Sequence, residues 1–309
     1  MHEHMGAALV GRVSRALPSR RWQASHWVGK LLVPLTPFIG RVHNGLLEVH
    51  PGEVASTSTF VTGFYEREVT MWCREQIRTQ PPALVVDVGA NFGYYPLLFG
   101  LLTAGKTEVI AYEPDPANYA WLARNLALNP GLRVSAVPMA VGDIDGAQIA
   151  FETALDGHNL WSRASGFGAN EHASTTVNVT TTTLDADLDR RGITEVPLTL
   201  IDVEGYESKV LEGMAGGIRS ARYQTVMIEF HPWAFADPVA EIAGIIDRFQ
   251  NAGYVAHRFE HYASDYADKD PKYYDLTWDA SILGPPTWDK LSSWEHYLFT
   301  YHRVAEVPV

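Results

Sequence analysis

The residues able to do chemistry in this chain are acids and a histidine placed where apolar runs stop. Asp87 ends Leu84-Val85-Val86 and opens the turn Asp87-Val88-Gly89-Ala90-Asn91-Phe92-Gly93, an Asp-x-Gly-x-x-x-Gly spacing. Glu113 closes the run from Thr107 to Tyr112, twenty residues beyond Gly93, and Pro114 follows it. Asp143 follows Met139-Ala140-Val141-Gly142. Farther on, Asp202 closes Leu198 to Ile201 with Glu204 two residues later, and His231 closes Thr225 to Phe230. Open α/β sheets bind ligands beyond the carboxyl ends of their strands, so these side chains are expected around one crevice. Asp87, Glu113 and Asp143 are acceptors. Asp87 suits a cationic or hydroxyl-rich group, and Glu113 suits the two hydroxyls of a ribose. Asp143 suits an exocyclic amine, with Ala140 and Val141 along the ring that carries it. Asp202, Glu204 and His231 can take or hold a proton. The dinucleotide spacing Gly-x-Gly-x-x-Gly is absent from the turn, which argues against a nicotinamide-dependent oxidoreductase.

The elements that must position these residues follow from apolar runs and their punctuation. Leu84 to Val88 predicts a buried strand and Phe92 to Leu102 a helix, joined by a turn that needs glycine where the backbone bends and a ligand approaches. Glu66 to Gln80 predicts a preceding helix, stopped by Pro81-Pro82. Its start, Tyr65 and Glu66, can close over a ligand in the turn, or Tyr65 can simply pack. Strands are expected at 107–113, 132–137, 148–153, 175–183, 198–202, 225–230, 253–259 and 296–301, with helices at 118–129 and 237–251. The segment between residues 153 and 175 is too long for a simple connector, and it offers His158 and Trp161 as acceptor contacts. Tyr206 and Trp233, beside the ends of the Asp202 and His231 strands, are candidates for the same role. The expected architecture is a Rossmann-like α/β domain over 63–309, with a seven-stranded, mostly parallel sheet and helices on both faces. Residues 1–62 form an N-terminal helical or loop extension, loop-rich over 42–63.

Five blocks carry a resemblance. Gly63-Phe64-Tyr65-Glu66, Asp87 to Gly93, Ala140-Val141-Gly142-Asp143, Ile201-Asp202-Val203-Glu204-Gly205-Tyr206-Glu207 and Glu229-Phe230-His231 resemble, in that order, the FkbM family of class I S-adenosylmethionine (SAM) methyltransferases. The resemblance covers about residues 60–260. It implies SAM as cofactor, held by Tyr65, Glu66, Asp87, Gly89, Ala90, Asn91, Gly93, Glu113, Pro114, Ala140, Val141, Asp143 and Asp202. It implies methyl transfer to a hydroxyl of a sugar, glycolipid or polyketide-type metabolite. The in-line displacement needs alignment and, for an alcohol, a proton acceptor. That acceptor is drawn from Asp202, Glu204 and His231; His231 or Asp202 fits it best, as neutral imidazole or carboxylate. The same three residues could instead hold Mg²⁺ or another divalent ion that acidifies the hydroxyl. N- or carboxyl-directed transfer, or SAM binding without catalysis, are the competing readings.

Composition bounds the rest. The chain has 309 residues with 46% hydrophobic and 19% charged side chains, enough for a sizeable core. A net charge of -12 argues against a nucleic-acid partner. Cys73 is the single cysteine, so an intrachain disulfide or a cysteine-based metal cluster is excluded, and a reducing cytoplasm is expected. No apolar run approaches the roughly 18 residues of a membrane span, nor does an adequate apolar core precede a signal-type cleavage site. Residues 1–41 carry six Lys/Arg against Glu3 alone, with Trp22 and Trp27 among them. That stretch is either a solvated extension or a peripheral contact with an anionic membrane surface.

Overall fold

The computed structural model describes residues 37–51, 53–154, 162–165, 174–260, 279–287, 291 and 295–301. A hairpin of β1 (Phe38–Val42) and β2 (Gly45–Val49) comes first, then helices α1 (Val54–Thr62) and α2 (Arg67–Thr79). The alternating half follows as β3 (Leu84–Val88), α3 (Tyr94–Leu102), β4 (Glu108–Tyr112), α4 (Pro116–Ala127) and β5 (Arg133–Val137). A small second sheet comprises β6 (Ala140–Val141), β7 (Gln148–Ala154), β8 (Arg163–Ala164) and β9 (Ser174–Thr182). The chain then returns through α5 (Leu184–Arg190), β10 (Leu198–Ile201), α6 (Glu207–Glu212), α7 (Ala215–Arg219), β11 (Thr225–Phe230), α8 (Pro238–Asn251), β12 (Tyr254–Phe259), β13 (Leu283–Gly284) and β14 (Glu295–Tyr301).

The large sheet has the order β13-β12-β14-β11-β10-β3-β4-β5. The seven expected strands of this sheet are all present, and the two-residue β13 adds an edge. Strands β11, β10, β3, β4 and β5 run parallel, and β14 inserts antiparallel between β11 and β12. Parallel strands covered on both faces are apolar along their whole length, not on alternate residues. Val85 and Val86 accordingly go to opposite cores. Val86, Ile110, Ile201 and Ile228 join the core under α5 to α8, whereas Val85, Val109, Leu200 and Met227 join the core under α2 and α3.

Strand order reverses beside β3: the chain steps outward to β4 and β5, then returns to place β10 on the other side. A crevice opens at such a switch point, above the carboxyl ends of β3 and β10. The two loops there approach closely. Gly89 has φ +94°, and a Cβ on it would lie 1.7 Å from the Asp202 carbonyl oxygen.

Residues 42–63 are not loop-rich. They complete the β1–β2 hairpin and form α1, and Val42, Leu47, Val49 and Phe60 share a core with Phe92 and Trp121. Alternation in this stretch is short and broken by Gly and Asn, and its docking depends on distant asparagines. Asn129 accepts the Leu46 N–H (2.8 Å) and donates to the Leu46 carbonyl (2.7 Å), and Asn125 accepts the Glu48 N–H (2.7 Å). These amides stand in for a neighbouring strand along β2. Removing one leaves partly buried backbone groups unpaired, which costs about 1–3 kcal/mol. Asn129→Ala should therefore lower the stability measured by urea unfolding by about that amount; a change below about 0.5 kcal/mol would mean the hairpin docks by apolar packing alone.

Candidate active site

The crevice is a cleft running from the β4 end to the β14 side of the sheet. At the β4 end Glu113 is fixed by backbone: the Asn91 N–H donates to its Oε2 (2.7 Å) and the Asp115 N–H to its Oε1 (2.8 Å). Asn91 can make this contact because it adopts φ +49°, a left-handed conformation that asparagine tolerates better than most residues. Each Glu113 oxygen keeps a second lone pair for a ligand hydroxyl. Asp87 is 4% exposed, and its Oδ2 has no hydrogen-bond partner. A buried acceptor without a partner is costly unless a ligand supplies a donor. Burial, then the charge of Glu66, pushes the Asp87 carboxyl up to about 7. Burial also takes Glu113 to about 8, against the pull of its backbone donors. Ala140, Val141, Ile149 and Phe151 give the cleft an apolar wall near Glu113.

At the other end the lining is acidic. Glu66, Asp202, Glu204 and Glu229 face the cleft together with His296, and no Lys or Arg is among the lining residues described. Glu204 sits at φ +50° and Glu66 at φ +42°, both left-handed and both uncommon for glutamate. Glu66 accepts a short hydrogen bond from the Tyr95 hydroxyl. His296 Nε2 lies 3.2 Å from Glu229 and 3.8 Å from Glu66. Burial, then repulsion from Glu229, takes the Glu66 carboxyl up to about 7.

His231 stands behind this wall and does not line the cleft. It is 5% exposed, with Nδ1 hydrogen-bonded to Glu207 Oε1 (2.7 Å) and Nε2 3.4 Å from Glu204 Oε2. Glu207 Oε1 also accepts the Gly205 N–H (2.9 Å), so the turn after β10 holds the pair. Burial pulls the imidazole down. The carboxylates of Glu207, Glu204 and Glu229 outweigh it and hold His231 well above its usual range. The neutral imidazole expected of a base is therefore not the form this environment favours. Burial raises Glu204 to about 7 despite the opposing charge of His231, and burial with the charge of Glu204 holds Asp202 well above its usual range.

The expected cofactor residues converge, with two exceptions. Gly93 lies outside the cleft lining and instead caps α3 at φ +94°, where a Cβ would strike the Leu122 side chain at 2.5 Å. Asp143 is likewise outside, its Oδ2 held by Lys209 Nζ at 2.9 Å. Tyr206 lines the cleft, whereas Trp233 packs its ring 5.5 Å from His231 on the far side, under Arg163. His158 and Trp161 lie outside the described residues. Of the three residues that could hold a divalent ion, Asp202 and His231 come together with Glu229, and Glu66, Glu229 and His296 form a second such group among the described residues. Glu229, Glu207, Tyr95 and His296 were not among the expected site residues. Glu229 and Glu207 lie inside the blocks already quoted. His296 has no local signal; it reaches the site only because β14 pairs antiparallel with β11 in a register that sets it against Glu229.

With this geometry in view, the match of residues 87–256 to the model of the methyltransferase FkbM domain covers the turn after β3, both strand ends and the His231 turn. The chain belongs to the FkbM methyltransferase family. Its element order and mostly parallel sheet are those of a Rossmann-like α/β fold. It is 27% identical over 153 residues to the hexuronic acid methyltransferase AglP of Haloferax volcanii, covering 49% of this chain and 56% of that protein. The match thus spans little more than half the length of that relative. A SAM-dependent methyltransferase from Agrobacterium tumefaciens aligns with a TM-score of 0.45 at 10% identity, covering 85% of this chain and 70% of the other. M. jannaschii TYW2, solved with AdoMet, aligns at 0.38 and 11% identity, covering 86% and 85%.

The Glu207–His231 contact makes one checkable statement about this FkbM site. If Glu207 is what holds the imidazolium, Glu207→Gln should move the His231 titration, followed by NMR of its ring protons, to lower pH. An unchanged titration would mean that Glu204 and Glu229 suffice.

Proposed function

We propose that this protein transfers the methyl of SAM to a hydroxyl of a sugar or similarly polar small molecule, with Glu204 as the proton acceptor. The observation that carries the reading is the placement of Glu204. It is a cleft-lining carboxylate on a left-handed backbone, backed at 3.4 Å by a histidine that does not itself reach the cleft.

The fit of SAM rests on the unpartnered acceptors. Asp87 Oδ2, Asn91 Oδ1 and Asp202 Oδ1 are buried without partners in the same cleft. A ligand bearing hydroxyls, amines and positive charge supplies what they lack, and the absent Cβ of Gly89 keeps the turn tight. Glu113 would hold the ribose, Asp87 the cationic tail, and the wall of Ala140, Val141 and Phe151 the nucleobase. Bound there, SAM supplies an electrophilic methyl group.

The chain's own residues do the rest. Glu204, poised near neutral pH by burial, takes the hydroxyl proton as the new C–O bond forms; a base is most effective when its pKa lies near the working pH. His231 is a positioning residue: anchored through Nδ1 by Glu207, it directs Nε2 at the glutamate and favours the ionised form that can accept a proton. The hexuronic acid methyltransferase relative supports a sugar-type acceptor. A cytoplasmic setting remains part of this reading; no helix among the described residues is long and apolar enough to cross a membrane.

Glu204→Gln should lower kcat by about 10²–10⁴-fold while S-adenosylhomocysteine still binds in calorimetry. Wild-type kcat/KM should fall as pH drops through about 7, because a base that must be ionised is lost on protonation. A pH-independent rate from 5.5 to 8.5 would remove Glu204 from the role. Asp87→Asn and Glu113→Gln should each weaken S-adenosylhomocysteine binding by about 10- to 100-fold, the worth of a hydrogen bond to a charged group. Unchanged affinity in both would overturn the cofactor placement.

A further inference from the structure

The acidic end of the cleft holds side chains that the methyl-transfer reading does not use: Glu66, Glu229 and His296. Six carboxylates line the cleft, from Asp87, Glu113, Glu66, Asp202, Glu204 and Glu229, and no Lys or Arg lines it among the described residues. SAM brings a single net positive charge. From this floor we infer a binding site for one divalent cation of the manganese or zinc type, held by Glu66, Glu229 and His296. Each offers one ligand atom, and the three atoms lie within 4.8 Å of one another.

The spacing fits an ion. Ligand atoms about 2.0–2.2 Å from a zinc-class metal stand roughly 3–3.5 Å apart around it. His296 Nε2 is 3.2 Å from Glu229 and 3.8 Å from Glu66, near the separations an ion would impose. Three elements bring the ligands together: the start of α2, the end of β11, and β14 in register with β11. Glu66 is held there on a left-handed backbone with Tyr95 donating to its other oxygen, the supporting contact typical of a ligating carboxylate. Two carboxylates with an imidazole favour manganese, iron or zinc over calcium, which prefers oxygen alone.

A second group of ligand atoms shares Glu229 with the first. Asp202 has a buried Oδ1 with no partner, and with His231 it forms another group around the shared Glu229. Asp87, also buried with an unpartnered oxygen, feels the charge of Glu66 across the cleft. Glu229 thus presents one oxygen toward His296 and the other toward His231, at 3.2 and 3.9 Å. A divalent ion between Glu66 and Glu229 relieves the repulsion these two acids exert on each other. The ion would stand beside the acceptor end of the cleft, where it can coordinate a hydroxyl of a polyol. The site does not require the acceptor to be a sugar, nor Glu204 to be the base.

The test is an Mn²⁺ titration of the EDTA-treated full chain, followed by loss of the free-ion EPR signal. One equivalent should be taken up, and Zn²⁺ should displace it. Glu229→Gln and His296→Gln should each weaken uptake at least tenfold, with thermal melting showing that both remain folded. Glu212→Gln, on the surface beside Lys209, should bind as wild type. No uptake at millimolar Mn²⁺ would overturn the site, as would equal uptake by the two ligand variants. So would loss of S-adenosylhomocysteine binding in Glu66→Gln with no Mn²⁺ uptake by wild type, which would give this floor to the cofactor's ammonium. Uptake that persists while hydroxyl acceptors go unmethylated would leave the ion site standing and the acceptor assignment fallen.

Discussion

The constraint on which the rest depends is the contact between the loops that follow β3 and β10. Any side chain at Gly89 would collide with the Asp202 carbonyl, since even a Cβ would stand at 1.7 Å. The contact is reinforced by the Asp202 N–H, which donates to the Val88 carbonyl (3.0 Å). It keeps Asp87, within β3 and paired with Leu200, close to Asp202 just past the end of β10, so that acids reading the methyl donor and acids handling the acceptor share one cleft. A bulkier turn would separate the two halves. The alignment on which displacement chemistry depends would go with it.

That crowding has an electrostatic consequence. Carboxylates gathered from α2, β3, β4, β10 and β11 are buried together, and burial disfavours their charged forms. Asp87, Glu66, Glu204 and Glu113 are all lifted to near neutral as a result. Such a cluster is poor for stability and well suited to a cationic ligand, whose arrival restores the charged forms. Perturbed carboxylates in a cleft are a signature of function because no fold needs them there. The contrast with Glu113 is instructive: two backbone N–H donors hold its orientation, so its geometry is ready before any ligand arrives.

Strand identities were legible because parallel strands covered on both faces are apolar throughout and end in Gly, Pro or acid. Leu84–Val88 and Leu198–Ile201 both fall where their runs stop. The acids at these ends were legible too, because position at a strand terminus is a local property. What escaped was non-local. Asp143 ends its run beside Gly142 as a ligand-binding acid would, yet Lys209, sixty-six residues away, claims it. The hairpin at Phe38–Val49 is docked by asparagines from α4 and its end, and nothing near residue 46 announces them. Positive φ at Glu66, Asn91 and Glu204 is invisible to composition, since none is glycine.

His231 and His296 show how far residue type alone can mislead about role. Both are buried histidines beside Glu229, and both stand among acids. His231 closes a parallel strand in a family block, which marks it for chemistry, but its imidazole is spent on Glu207 and Glu204 behind the wall. His296 lies within an antiparallel strand that carries no motif, yet it faces the cleft. The difference lies in direction: β14 enters against its neighbours, so a residue near its start, not its end, arrives at the ligand side of the sheet. The rule that chemistry gathers at the carboxyl ends of strands holds for the parallel set and inverts for this one strand. Glu229 and His296 therefore meet as a cross-strand pair, one from each end, and complete the acidic floor beside Glu204.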